Sequence, residues 1–101
     1  MKTKPMNKSE RRRMEIVKQI GCMACRQDGH DPAPSHAHHI TICGQRVGHT
    51  ATYGLCDPHH VGNDMSIHKT KRKFNERYGT DGELLAACNW LVREFEARTV
   101  R

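Results

Sequence analysis

A small α+β domain is the fold this sequence of 101 residues predicts: a short β-hairpin between N- and C-terminal helices, with a metal ion as its staple. Three observations carry the prediction. Hydrophobic residues are 36% of the chain and aromatics 5%, too few for a large core, and small domains with thin cores are stapled by disulfides or metal. Cysteines number five, which leaves one unpaired in any disulfide scheme. Two knuckles of soft donors, Cys22-x2-Cys25 and Cys56-x2-His59, have the spacing of the two halves of a tetrahedral zinc site.

The elements follow in order. Residues 1–8 are polar and contain Pro5, so a basic tail is expected there, with a single domain over 9–101. Ser9 can cap a helix running to about Ile20. Met14, Val17 and Ile20 recur at helical spacing beside Ile16, and Gly21 is a natural stop. The next residues, CMAC, suit a knuckle turn better than a helix interior. Residues 26–35 read as loop from their Gly, Asp and Pro content. HAHHITI (36–42) and TATYGLC (50–56) read as two strands of a hairpin, with CGQRVGH turning the chain between them. Pro58 fits the first turn of a short helix that Gly62 curtails. A further helix opens at Ser66 or Thr70 and ends at Tyr78 before Gly79, with Phe74 and Tyr78 on its apolar face. Thr80 and Glu83 form a capping box for the last helix, whose stripe is Leu84, Cys88, Leu91, Val92 and Phe95. Cys88 on that stripe is core, and Trp90 is expected against the hairpin.

The net charge is +6. Lys2, Lys4, Lys8, Arg11, Arg12 and Arg13 face Glu10 alone near the N-terminus, and a second basic cluster lies at 68–77. Two such clusters predict a polyanionic partner, because neutralising phosphates releases counterions. The charged start and the lack of any apolar run of ~18 residues predict a cytoplasmic protein with no membrane partner. A redox role for CMAC is disfavoured by the missing βαβ pattern.

With His59 assigned to the zinc knuckles and His30 in the loop before the hairpin, His36, His38, His39, His49, His60 and His68 remain, more than a structural site needs. Successive side chains of a strand point to opposite faces, so His38 and His39 do different work. His38 and His60 can hold a second, open-sided metal, and neutral His39 can take a proton from an attacking water. An incompletely coordinated cation polarises a phosphoryl oxygen, so phosphodiester hydrolysis on a basic surface fits the whole set. His30 and His36 are expected on the surface, although His36 shares the face of His38. Cys43 is expected to be a bystander, and Asn63 to cap a helix rather than bind metal. The rival from another class is a zinc-knuckle DNA-binding or recombination-mediator protein without catalysis.

The order CMAC, AHHI, GH at 48–49, LCDPHH, SIH and a basic helix with KFNERYG resembles the HNH (ββα-metal, treble-clef-like) endonucleases, and among them the phage recombination-enhancement (Ref) nucleases. The resemblance spans about Ile20 to Tyr78. It implies a DNA endonuclease of a phage or prophage, acting in the bacterial cytoplasm with RecA filaments. It also implies a structural Zn2+ on Cys22, Cys25, Cys56 and His59, and a catalytic Mg2+, Mn2+ or Zn2+ on His38 and His60. By the same resemblance His39 is the general base and His68 a late active-site histidine. His49 is a candidate for phosphate contact or base orientation. Lys69, Lys71, Arg72, Lys73, Arg11, Arg12 and Arg13 are the candidate DNA contacts. Many HNH enzymes carry Asp where this chain has His38, which favours a borderline cation.

Overall fold

The computed structural model describes residues 5–32, 34–62 and 64–99. Lys2, Lys4 and Asn63 lie outside them. Helix α1 (Lys8–Ile20) is capped two residues earlier than the expected Ser9. The cap is Asn7, whose side-chain oxygen accepts the Glu10 N–H at 2.8 Å while Glu10 accepts the Asn7 N–H at 2.9 Å. This reciprocal box satisfies two donors at once, which a lone serine does not. Gly21 ends the helix at φ 88°, a left-handed conformation suited to glycine.

The CMAC knuckle departs from the sequence reading. It is the start of a short helix, α2 (Met23–Gln27), with Cys22 as its N-cap. The Cys22 sulfur accepts the Cys25 N–H at 3.4 Å, in the place a Ser or Asp oxygen usually fills.

The hairpin is present but is broken in two. Strand β1 (His36–His39) pairs antiparallel with β4 (Thr52–Leu55), setting His38 opposite Tyr53 and His36 opposite Leu55. The expected 36–42 strand changes partner at Ile40. Its N–H donates to Ala51 O at 2.9 Å, and its carbonyl accepts from Val47 N at 3.0 Å. Beyond it, β2 (Thr41–Ile42) and β3 (Gln45–Arg46) form their own small ribbon. Its turn holds Cys43 at φ 52° and Gly44 at φ 78°, the positive values a two-residue type I′ turn requires.

Helix α3 (Asp57–Val61) carries Pro58 in its first turn and stops at Gly62. Helix α4 (Lys71–Tyr78) takes Thr70 as its N-cap by position, although the Thr70 hydroxyl caps nothing. It is turned back to accept the Ser66 N–H at 2.8 Å. The Thr80–Glu83 box opens α5 (Asp81–Thr99) as predicted, with bonds of 2.9 and 3.2 Å.

The core lies where α1, α4 and α5 close over β1 and β4. Val17, Tyr53, Leu55, Phe74, Leu84 and Cys88 are buried there. Gly54 is needed in β4 because a Cβ would strike the Gly21 carbonyl and the Ser35 hydroxyl. The α5 stripe is buried at Leu84, Cys88 and Val92 and half-buried at Leu91 and Phe95. Trp90 does not pack against the hairpin; it is 55% exposed. It follows Cys88 by two residues, about half a turn away from the buried stripe. Among the described residues, no helix is long and apolar enough to cross a membrane.

Candidate metal centres

Helix α3 sits at the mouth of the β1–β4 hairpin, and its two histidines point different ways. His59 meets Cys22, Cys25 and Cys56 in one donor cluster. His60 meets His38 and His68 in another.

In the first cluster, His59 Nδ1 stands 3.4 Å from Cys22 Sγ, 3.6 Å from Cys25 Sγ and 3.2 Å from Cys56 Sγ. Cys25 Sγ and Cys56 Sγ are 3.8 Å apart. A tetrahedral zinc with Zn–S bonds of ~2.3 Å has S–S edges of ~3.8 Å and S–N edges of ~3.6 Å, so these four donors fit that ion. Burial, with Cys22 beside it, pushes the Cys25 thiol up to about 12, and burial also raises Cys56. Such thiols ionise readily only beside a cation, and the thiolate is the form that binds metal. Burial lowers the pKa of His59, which favours its neutral, ligating form.

The far side of His59 is held by residues the sequence did not single out. Its Nε2 lies 3.3 Å from the Tyr78 hydroxyl, which donates to Asp28 Oδ2 at 2.7 Å. Arg77 reaches the other Asp28 oxygen at 2.8 Å. The hydrogen bond from Tyr78, then Arg77, holds the Asp28 carboxyl below the usual carboxylate range. A carboxylate therefore orients the ligand histidine through a phenol, which fixes its ring and tautomer.

The second cluster is built from nitrogen alone. His38 is buried at 6% exposure, with its ring 5.2 Å from Tyr53, 5.3 Å from His60 and 5.2 Å from His68. The Tyr53 hydroxyl is anchored by donating to Asp81 Oδ1 at 2.8 Å. His60 Nε2 and His68 Nε2 approach to 3.0 Å. Two donors bonded at ~2.1 Å to one ion stand ~3.0 Å apart in octahedral and ~3.4 Å apart in tetrahedral geometry, so the pair suits a shared cation. The chain delivers His68 there by hanging its turn on α3: Ile67 N–H donates to His59 O at 2.8 Å and His68 N–H to His60 O at 3.2 Å. Ser66 Oγ adds a bond to Gly62 O at 2.6 Å. Burial, then the charges of His60 and His68, push His38 down to about 4. Burial, then His68 and His36, lower His60. Both imidazoles are therefore neutral near pH 7, as ligands must be.

His36 is exposed, as expected, but it is not idle: its Nδ1 is 3.2 Å from His60 Nδ1 and its Nε2 is 3.4 Å from Asp57 Oδ1. His39 turns to the opposite face of β1, where its Nε2 lies 3.3 Å from His49 Nδ1. Burial, then the charges of Arg46 and His49, lower its pKa. His30 and Cys43 are exposed, and neither belongs to a donor cluster among the described residues.

The basic residues are differently engaged. Arg13, expected as a DNA contact, also has an internal partner. Its guanidinium donates to Thr52 O at 2.8 Å and to Thr52 Oγ1 at 3.3 Å, tying α1 to β4. Arg12 meets Glu96 at 3.6 Å and Arg72 meets Glu76 at 3.1 Å at the surface, and exposed Lys71 meets half-buried Asp81 at 3.7 Å. The two exposed pairs, of Arg12 and of Arg72, contribute roughly 0–1 kcal/mol each, so they yield readily to a phosphate. Lys73 is exposed.

Tyr53, Tyr78, Asp28 and Asp81 are the positioning residues that sequence reasoning missed. Only the hairpin register, which sets His38 opposite Tyr53, could have signalled one of them. No match was found among curated proteins. A family model described as recombination enhancement, RecA-dependent nuclease, matches residues 7–93, from the cap of α1 to within α5. That span includes both donor clusters, and the chain belongs to the family of recombination-enhancement, RecA-dependent nucleases.

Proposed function

We propose that the protein is a metal-dependent DNA endonuclease of the HNH (ββα-metal) kind, from a phage or prophage, acting with RecA filaments in the bacterial cytoplasm. The observation that carries this reading is the division of labour at α3, where adjacent His59 and His60 enter two separate donor sets. A non-catalytic zinc-knuckle protein needs only the first. The hairpin β1–β4 followed by α3 supports the ββα reading, since β1 supplies His38 and His39 and α3 supplies His60 beside them.

Cys22, Cys25, Cys56 and His59 hold a structural zinc that ties α2 to the end of the hairpin. His38, His60 and His68 hold the catalytic divalent cation, Mg2+, Mn2+ or Zn2+, with nitrogen donors favouring the latter two. When bound, that ion supplies Lewis-acid stabilisation of charge on the scissile phosphate. His39 is the general base. In the tautomer whose Nε2–H donates to His49 Nδ1, the Nδ1 lone pair of His39 is free to take a proton from water. Its lowered pKa keeps that lone pair available at neutral pH. His49 orients the base, and Arg11, Arg12, Lys69, Lys71, Arg72 and Lys73 contact the DNA backbone.

The test is nicking of supercoiled plasmid in EDTA, Mg2+, Mn2+ and Zn2+, with and without RecA filaments. Cleavage is expected only with a divalent ion. His39→Ala should keep its metal and its DNA binding while cleavage falls by roughly 10²–10⁴. A variant that cuts at the parental rate removes the base assignment. DNA binding by the parent with no cleavage under any ion returns the non-catalytic reading.

A further inference from the structure

We propose that Asp57 and His36 form a relay that fixes the tautomer of His60, and thereby set the affinity of the His38, His60, His68 cluster for a divalent cation. The proposal rests on reading that cluster as a cation site. Its geometry is a directed chain. Asp57 Oδ1 lies 3.4 Å from His36 Nε2, His36 Nδ1 lies 3.2 Å from His60 Nδ1, and His60 Nε2 lies 3.0 Å from His68 Nε2.

The direction is set at the acidic end. Asp57 and His36 are in ion-pair contact, and a carboxylate attracts the N–H edge of an imidazole and repels its lone pair, so the His36 nitrogen facing Asp57 is the one that carries hydrogen. When that is the only ring hydrogen of His36, its Nδ1 is a lone pair, and the nitrogen opposite it, His60 Nδ1, must be the donor. That leaves the Nε2 lone pair of His60 pointing into the cluster, where a cation needs it. Without the relay, His60 is free to carry its hydrogen on Nε2 or to flip, and either change takes a donor from the site.

The other centre has the same construction, with Tyr78 in the place of His36: Asp28 accepts from Tyr78, whose oxygen lies 3.3 Å from His59 Nε2. His59 thus turns its Nδ1 lone pair, and His60 its Nε2 lone pair, toward the place a cation would take among the other donors of its cluster, each backed by its own carboxylate. Outer partners of this kind change metal affinity by ~10–100-fold when removed. As an exposed surface contact the Asp57–His36 pair would add little to stability, so a relay role is read in affinity rather than in melting temperature.

The test uses the full chain with zinc already on its cysteine centre. Co2+ uptake at the second site is followed by calorimetry and by the visible absorption of bound Co2+, for the parent and for His60→Ala, His36→Ala, His36→Asn and Asp57→Asn. His60→Ala should abolish the second binding event. His36→Ala should weaken it ~10–100-fold with an unchanged melting temperature. His36→Asn places an amide oxygen where Nδ1 stood, and should recover most of that loss. Asp57→Asn should lose less than His36→Ala. If His36→Ala binds Co2+ like the parent while His60→Ala does not, the relay is wrong and the cation site stands. If His60→Ala still takes up the second ion, the cation-site reading itself has failed. Equal weakening in His36→Ala and His36→Asn overturns the acceptor role. Should His36→Ala not fold, His36→Asn and Asp57→Asn carry the test: parental affinity in Asp57→Asn with weakened affinity in His36→Asn contradicts the relay.

Discussion

The two donor clusters differ in chemistry, burial and consequence, although consecutive residues of α3 feed them. The cysteine cluster is closed. Three sulfurs and one nitrogen complete a tetrahedron, Cys22 is wholly buried, and Met23, Ala24 and Leu55 pack around it in the core. The histidine cluster is graded, from buried His38 to exposed His68, and offers three nitrogen donors. Four donors complete a tetrahedral set in the first cluster; the second has three, which in the function proposed above leaves a position for substrate. An α-helix turns about 100° per residue, so a single turn is enough to serve both.

That contrast can be broken at several points, beginning where the effect is largest. Cys25→Ala should unfold the domain or strip its zinc, because structural zinc in small domains contributes on the order of 10 kcal/mol or more to folding. Unchanged melting and zinc content would show that the cysteine cluster is not the staple. His60→Ala should leave melting within a few degrees of the parent and remove plasmid cleavage. Unfolding of that variant would mean that the two centres are not separable. Tyr78→Phe should keep its ring against Phe74, 5.0 Å away, and lose only the hydroxyl between Asp28 and His59. Zinc should then compete less well against a chelator, by ~10-fold; parental competition would make the tyrosine plain packing.

Arg46→Ala should have the smallest effect. Burial, then the charges of Arg46 and His49, depress the His39 pKa. A depressed pKa keeps the base neutral to lower pH, so the acid limb of cleavage should lie below the ordinary imidazole value of ~6.5. Removing Arg46 should move that limb upward by less than ~1 unit. A limb that stays put would mean that His39 does not set the pH profile.

Much of this was legible in the chain. The Cys-x2-Cys and Cys-x2-His knuckles announced the first cluster because local spacing alone brings each pair together. His38 and His60 followed from strand alternation and from proximity to His59. What local pattern could not give was everything set by the third dimension. Asn7 outcompeted Ser9 as the cap because Glu10 completes a box with it. Ile40 broke the expected strand because it bonds to Ala51 on one side and Val47 on the other. Tyr78 and Asp28 are 50 residues apart in sequence and meet only behind the zinc ligand. Arg13 looked like one of three equivalent cations, yet it alone of the three reaches across to Thr52.

The account depends most on the independence of the two centres, and metal content measures it directly. Elemental analysis of zinc-saturated, gel-filtered protein should return two equivalents per chain for the parent and one for His60→Ala, with both folded. One equivalent in both proteins, with cleavage intact in the variant, would contradict it.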